Sequence, residues 1–255
     1  MTEVLVRVSR DPQVLAQTAA ARLLVRLHDA QAERGLASIV LTGGRTADLI
    51  YRALATSPAR DAVDWHRVDV WWGDERFVPD GDEERNETQA RAALLDALPL
   101  DPARVHPMPA ATPGDDPEAA AARYAATLAA SARPGSEQLP HFDVLLLGVG
   151  EDGHVASVFP GHPAAYETRA VAGVRGAPKP PPNRVTLTLP ALNTAEEVWL
   201  LATGTEKAGA VGMALTGHAG PVQLPAAGVR GVDRTLWLVD RAAASHVPPS
   251  FFSLR

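Results

Sequence analysis

The residues best suited to chemistry are Gly148-Val149-Gly150-Glu151-Asp152-Gly153-His154, which follow the apolar run Val144-Leu145-Leu146-Leu147. This order presents a titratable imidazole on a glycine-rich turn. A neutral imidazole can take a proton from water and return it to a leaving oxygen. Asp152 stands where it can fix the ring tautomer, and Gly153 permits an unusual backbone between them. Such an arrangement suits hydrolysis of an already reactive ester, which needs no covalent nucleophile. Two further stretches, and two single lysines, could hold an anion. Thr42-Gly43-Gly44-Arg45-Thr46 lies between an apolar run and a helical pattern. Its glycines let the backbone come close, its N–H groups can face the anion, and Arg45 adds charge. Asp74-Glu75-Arg76-Phe77 sets an arginine fork at a strand tip, a geometry that clamps phosphate. The chain has 24 lysines and arginines, yet Lys179 and Lys207 are its two lysines, a hint that a compact point charge is wanted there.

Other chemistries lack their parts. Gly148 to Gly153 fits the dinucleotide pattern G-x-G-x-x-G in spacing. It lies mid-chain, however, and no acid stands at a strand end ~20 residues on, around Arg169 to Val174, to hold a ribose. Asp152 would also crowd a pyrophosphate. No serine has the G-x-S-x-G flanking of a hydrolase elbow. The eight histidines do not form the spaced pair of a zinc protease, so no metal is expected. There are no cysteines, hence no disulfide, thiol catalysis or thiolate metal site. A net charge of −6 without a basic block argues against nucleic acid. No apolar run approaches the ~20 residues of a membrane span. The start, Met1 to Arg7, lacks the pattern of a signal peptide, so a cytoplasmic address is expected.

These residues fall between strands and helices that the local pattern predicts. Val4–Val8 is a first strand. Asp11 caps a helix that begins at Pro12 and stops at Gly35. Strands follow at Ser38–Leu41 and Val68–Trp72, with a helix through Leu49, Ile50 and Leu54 between them. Gly73–Pro79 leaves the strand as a loop, and Asn86 caps a helix through Ala90, Leu94 and Leu98. Val105–Met108 reads as a short strand, with His106 structural rather than catalytic. An alanine-rich helix runs from Glu118 to about Ala132, ended by Arg133-Pro134-Gly135-Ser136. After the strand at Val144–Gly148, the pattern predicts a short helix over Val155–Phe159 and a strand over Arg169–Val174. Gly176–Asn183 holds four prolines and is a loop. Strands at Arg184–Leu189, Val198–Ala202 and Leu236–Val239 complete the pattern. A helix through Val211 and Leu215 follows Lys207, and Asp240 caps a last short helix. Alternating strands and helices predict an α/β fold, a mostly parallel sheet with helices on both faces, over residues 1–255 as one unit. Ligands bind such sheets at the carboxyl ends of the strands. The turns at Gly43, Arg76, His154 and Lys207 should therefore meet on one rim.

Five segments occur together in one order. They are Leu41–Gly44, Trp72–Arg76, Gly148–Pro160, Lys179–Thr188 and Gly204–Ala208. On them the chain resembles the glucosamine-6-phosphate isomerase/6-phosphogluconolactonase family, on its 6-phosphogluconolactonase side, over nearly its whole length. The resemblance implies the fold shared with the deaminase, ribose-5-phosphate isomerase and the coenzyme A transferases. It implies a hydrolase of the pentose phosphate pathway that opens 6-phospho-D-glucono-1,5-lactone to 6-phosphogluconate without a cofactor. It makes His154 the general base, Arg76 and Lys207 phosphate cations, Gly43-Gly44 the phosphate loop, and Arg184 a basic position near the site. Two departures stand out. Arg45 replaces a small polar residue of the loop, and the stretch after Arg76 is acidic where a histidine is usual. The deaminase side of the family continues D-G-H-A with F-N-E-P, which would put its glutamate at Phe159, a residue that transfers no proton. A sugar-phosphate sensing domain on the same fold is the other alternative. It is disfavoured by a first strand at Val4 and an acidic charge.

Overall fold

The computed structural model describes residues 3–132, 139–217 and 219–251. Six strands form one parallel sheet: β1 (Glu3–Ser9), β2 (Ala37–Leu41), β3 (Val68–Trp72), β5 (Val144–Gly148), β8 (Glu197–Ala202) and β9 (Arg234–Asp240). Their order is β1-β9-β8-β5-β2-β3. Every residue of β2 and β8 is buried, as are four of the five in β5, so both faces of the sheet are covered. That is why these strands read as continuous apolar runs rather than as alternation.

Helix α1 (Pro12–Arg34) lies along this sheet. The Asp11 carboxylate accepts the Val14 N–H at 2.8 Å, and proline opens the first turn. Gly35 ends the helix in the left-handed region at φ 73, its N–H donating to the Gln31 carbonyl. Leu15, Ala19, Leu23 and Leu27 form its buried stripe and reach the same core as α2 (Arg45–Ala55). Truncating one such leucine to alanine costs ~2–5 kcal/mol.

A second, three-stranded antiparallel sheet holds β4 (Asp74–Arg76), β7 (Arg184–Leu187) and β6 (Val171–Val174). The stretch after Trp72, expected as a loop, thus contains a strand. The chain passes between sheets at Gly73, whose N–H donates to the Leu41 carbonyl while its own carbonyl accepts the Leu187 N–H. Three residues are too short for a periodic pattern, so β4 left no signal.

Other expectations need correction. Helix α3 (Asn86–Ala93) has Arg85 at its N-cap, and Asn86 is its first residue. The capping comes from another element: the Glu75 carboxylate accepts the N–H groups of Asn86 and Glu87 at 2.7 and 2.9 Å. Beyond Ala93 the chain continues as a 3-10 turn, Leu95–Ala97, not as α-helix to Leu98. Val105 makes only one bridge to Val70, and His106 stacks on Trp71 with centroids 3.9 Å apart. Val155–Phe159 is a bridged turn instead of a helix, pinned by Val149–Val155 and Val155–Val158 pairs, with Ala156 at φ 48. Helix α4 (Pro117–Ala130) ends at Ser131, and the stop expected at 133–136 lies outside the described residues. The remaining helices are α5 (Leu189–Leu192) and α6 (Ala208–Thr216). Among the described residues, no helix is long and apolar enough to cross a membrane.

Candidate active site at the strand-order reversal

From β2 the chain steps outward to β3, whereas from β5 it steps the other way, through β8 to β9. The reversal lies between β2 and β5, neighbours in the sheet, so their carboxyl-end turns diverge and leave a crevice. A cleft of about 360 Å3 opens there. Gly43, Gly44, Arg45, Arg76, His154, Lys179, Arg184 and Lys207 all line it. The turns at Gly43, His154 and Lys207 meet there as predicted, whereas Arg76 reaches the cleft from strand β4 of the small sheet rather than from a turn.

The turn after β5 is shaped by its glycines. Gly153 adopts φ 79, and a Cβ there would lie 2.0 Å from Leu224. A Cβ on Gly150 would lie 2.0 Å from His154 Nδ1. The Gly150 N–H donates to the His154 carbonyl at 2.8 Å, closing the turn. This folds Asp152 under the imidazole, with Oδ1 2.5 Å from Nδ1. Partial burial pushes the Asp152 carboxyl up. The hydrogen bonds from the His154 ring and N–H, with the charges of His154 and Lys179, outweigh it and hold the carboxyl at about 2. The carboxylate can only accept, so in the neutral ring the proton sits on Nδ1 and Nε2 keeps its lone pair. Among the described residues Nε2 makes no hydrogen bond, and the ring lines the cleft while resting on Phe159, 4.6 Å between centroids. No helix follows this turn, so it offers no helix N-terminus to a pyrophosphate, in keeping with the rejection of the dinucleotide pattern.

The opposite wall presents free N–H groups and cations. Helix α2 begins at Arg45 behind Gly44 at φ 98, with no side-chain cap. The turn after β8 repeats the form, with Gly204 at φ 94 and Thr205–Lys207 leading into α6. Thr46 Oγ1 and Thr203 Oγ1, 2.9 Å apart, tie the two turns together. Lys207 sits at the foot of α6. Burial and the charge of Lys179 pull its ammonium below the ordinary value, against the attraction of Glu151, Glu206 and Asp152. Arg45 is 92% exposed and pairs with Glu206 at 3.4 Å, so it stands at the mouth of the cleft.

Arg76 and Arg184 are cross-strand partners in the small sheet. Like charges directly opposite cost stability, a local conflict expected where an anion is to be held. Burial, with the neighbouring Arg76 charge, lowers the Arg184 guanidinium from its usual range, against Asp74 and Glu75. Arg184 is also structural: it donates to the carbonyls of Lys179, Pro180 and Pro181 and fixes the proline loop. Arg76 donates from Nη1 to the Glu84 carbonyl, and its buried Nε has no partner among the described residues. Below them lies an acid the sequence reading passed over. Asp74 lines the cleft and accepts from the Ser157 hydroxyl at 2.6 Å, while Asn86 donates to its carbonyl at 2.8 Å. Asn86 Oδ1 presses on Gly43, where a Cβ would come within 1.8 Å. Only β4 brings Asp74 here, and β4 was the element the sequence hid.

The sequence model of the family described as glucosamine-6-phosphate isomerases/6-phosphogluconolactonase matches residues 10–237. The chain belongs to this family. Among its relatives, a 6-phosphogluconolactonase of Streptomyces coelicolor is 61% identical over 96% of this chain and 95% of its own. One from Mycobacterium tuberculosis is 49% identical over 93% and 96%. The solved 6-phosphogluconolactonase of Trypanosoma brucei aligns with a TM-score of 0.82 at 28% identity, covering 97% of this chain and all of that one. A monomeric glucosamine-6-phosphate deaminase aligns over 96% of this chain and all of its own with a TM-score of 0.78 at 22% identity, a likeness of fold alone. Among the residues predicted for the site, this family member lines the cleft with all but Asp152, which stands behind His154. Phe159, the position of the deaminase glutamate in the motif comparison, is buried against the imidazole and against Arg184, whose guanidinium carbon lies 5.8 Å from its ring centroid.

Proposed function

We propose that the protein hydrolyses 6-phospho-D-glucono-1,5-lactone to 6-phosphogluconate, with His154 as general base. One observation carries the assignment of the base: an imidazole held by Asp152 through Nδ1, its Nε2 unbonded among the described residues, lines a cleft together with Arg76, Arg184 and Lys207. In this reading Lys207, Arg76, Arg184 and the Gly43-Gly44 turn bind the phosphate and orient the lactone. Arg45 adds charge at the mouth. His154 Nε2 takes a proton from a water as its oxygen attacks C1. The imidazolium, stabilised by Asp152, then protonates the ring oxygen as the C1–O bond breaks. No group bonds to the substrate, which suits an acyl carbon that is already activated. The same reading places the reaction in the cytoplasm. The relatives' shared name and the lack of a proton-transferring side chain at residue 159 favour lactone opening over ring-opening deamination.

The test is a coupled assay on freshly made lactone, corrected for spontaneous hydrolysis, beside glucosamine 6-phosphate. Lactone turnover lost in His154→Ala is the expected result. Ammonia release would assign the deaminase reaction, and binding without turnover would assign a sensor. A wild-type rate in His154→Ala would remove the histidine from the mechanism.

A further inference from the structure

We propose that Lys179, on the proline-rich loop, is the cation that stabilises the oxyanion formed at C1, so that the chain's two lysines serve opposite ends of one substrate. The proposal rests on the lactone reading above. A phosphorylated lactone carries a phosphate at one end and develops negative charge on its carbonyl oxygen at the other. The proposed phosphate set faces the first. The second needs a donor beside His154.

The other cations of the cleft belong, in that reading, to the phosphate or to the mouth, and two of them are partly held by loop carbonyls. Arg184 is 6% exposed and gives Nε and Nη2 to three loop carbonyls. Arg76 is tied to the Glu84 carbonyl at 2.7 Å. Arg45 stands in solvent at the mouth. Lys207 belongs to the wall formed by the Gly44 and Gly204 turns. Lys179 differs. Its backbone is fixed, since its carbonyl and the next two accept from the buried Arg184. Its ammonium reaches Glu151 Oε1 at 3.2 Å, on the same turn as Asp152 and His154. The two side chains are 40% and 57% exposed, so the pair is worth little and yields readily to an anion in the cleft. The Lys179 charge is felt by Asp152, the partner of the base, and by Lys207.

The bond from the water oxygen to C1 forms as its proton passes to His154 Nε2. The carbonyl π electrons move to the carbonyl oxygen, which becomes an oxyanion paired with the Lys179 ammonium. On collapse the carbonyl re-forms, the bond from C1 to the ring oxygen breaks, and that oxygen takes the proton from His154. The acid product loses its proton to solvent, and Lys179 neither gives nor takes one.

The experiment compares Lys179→Met, Lys179→Arg and Lys207→Met on the phosphorylated lactone. The same proteins are titrated by calorimetry with 6-phosphogluconate and with glucitol 6-phosphate, which keeps the phosphate but lacks the carboxylate. Loss of one oxyanion donor lowers kcat by ~10²–10³-fold. Lys179→Met should therefore lose kcat on that scale with little change in KM, bind 6-phosphogluconate more weakly, and bind glucitol 6-phosphate as the wild type does. Lys179→Arg should recover part of kcat. Lys207→Met should weaken both ligands alike. Equal weakening of both ligands in Lys179→Met, with kcat kept, would make Lys179 a phosphate cation and overturn the proposal. So would unchanged kinetics and binding. Failure of the wild type to open the lactone would instead sink the functional reading, and the two failures are told apart by that control.

Discussion

Each end of β5 carries an aspartate beside a histidine with cations close by, and the two ends use them in opposite ways. At the amino end Asp143 is 1% exposed and wholly committed. It accepts the Ser38 N–H at 2.7 Å and guanidinium N–H groups from Arg26 and Arg34, and Glu196 pairs with Arg26. His141 Nε2 lies 3.0 Å from Glu196 and 3.4 Å from Asp143. The two guanidiniums supply the countercharge, so the cluster clamps α1 to the starts of β5 and β8. At the carboxyl end the same types of group line a cleft. Asp152 holds His154 Nδ1 and leaves Nε2 free, while Lys179 and Lys207 face a cleft. The same residue types thus make a buried ion cluster at one end of the strand and the wall of a cleft at the other.

Four substitutions separate the roles of the two ends. His154→Ala should cost the most, a fall in kcat of ~10²–10⁴-fold with substrate still bound, read by steady-state kinetics. Its melting temperature should stay near that of the wild type. Asp143→Ala should do the reverse. Removing one partner of a buried ion pair costs about 3–5 kcal/mol, so denaturant unfolding should show a large loss while kcat per folded molecule is kept. A catalytic defect in that variant would erase the distinction between the two ends. Smaller in effect, Lys207→Ala should raise KM for the lactone and leave kcat largely alone, because phosphate binding is shared by ground and transition states.

The smallest expected effect concerns pH. The Asp152 carboxyl is held at about 2 in the folded protein against an ordinary 3.8. A lowered acid contributes stability that is fully present above the ordinary value and is lost as pH falls through the lowered one. The difference in melting temperature between wild type and Asp152→Asn should therefore shrink between about pH 4 and pH 2. A gap that holds constant across that window would show that the carboxylate gains nothing from His154 in the fold.

The helix caps, the buried runs and the glycine turns were legible because each is written in consecutive residues. Asp11-Pro12 and Gly35 bound α1 at both ends as local rules require. The turn from Gly148 to His154 carried its own signal, since glycines before an acid and a histidine after a buried strand have few other uses. β4 and the capping of α3 were not legible. β4 is three residues long and pairs with a strand more than a hundred positions away, and α3 is capped by Glu75 from that same short strand. Val155–Phe159 has helix-compatible composition, but pairing with Val149 draws it into a turn. Tertiary pairing overrode local preference in each case.

The sequence by itself determined the parallel sheet, the two ends of α1 and the absence of cysteine chemistry, because periodicity, capping and composition act over a few neighbouring residues. Only the tertiary structure decided that, among the described residues, Nε2 of His154 makes no hydrogen bond, that Asp74 and Lys179 share its cleft, and that Arg184 gives Nε and Nη2 to a loop. Those facts depend on which distant strands become neighbours. The reversal between β2 and β5 and the antiparallel pairing of β4 with β7 bring them together.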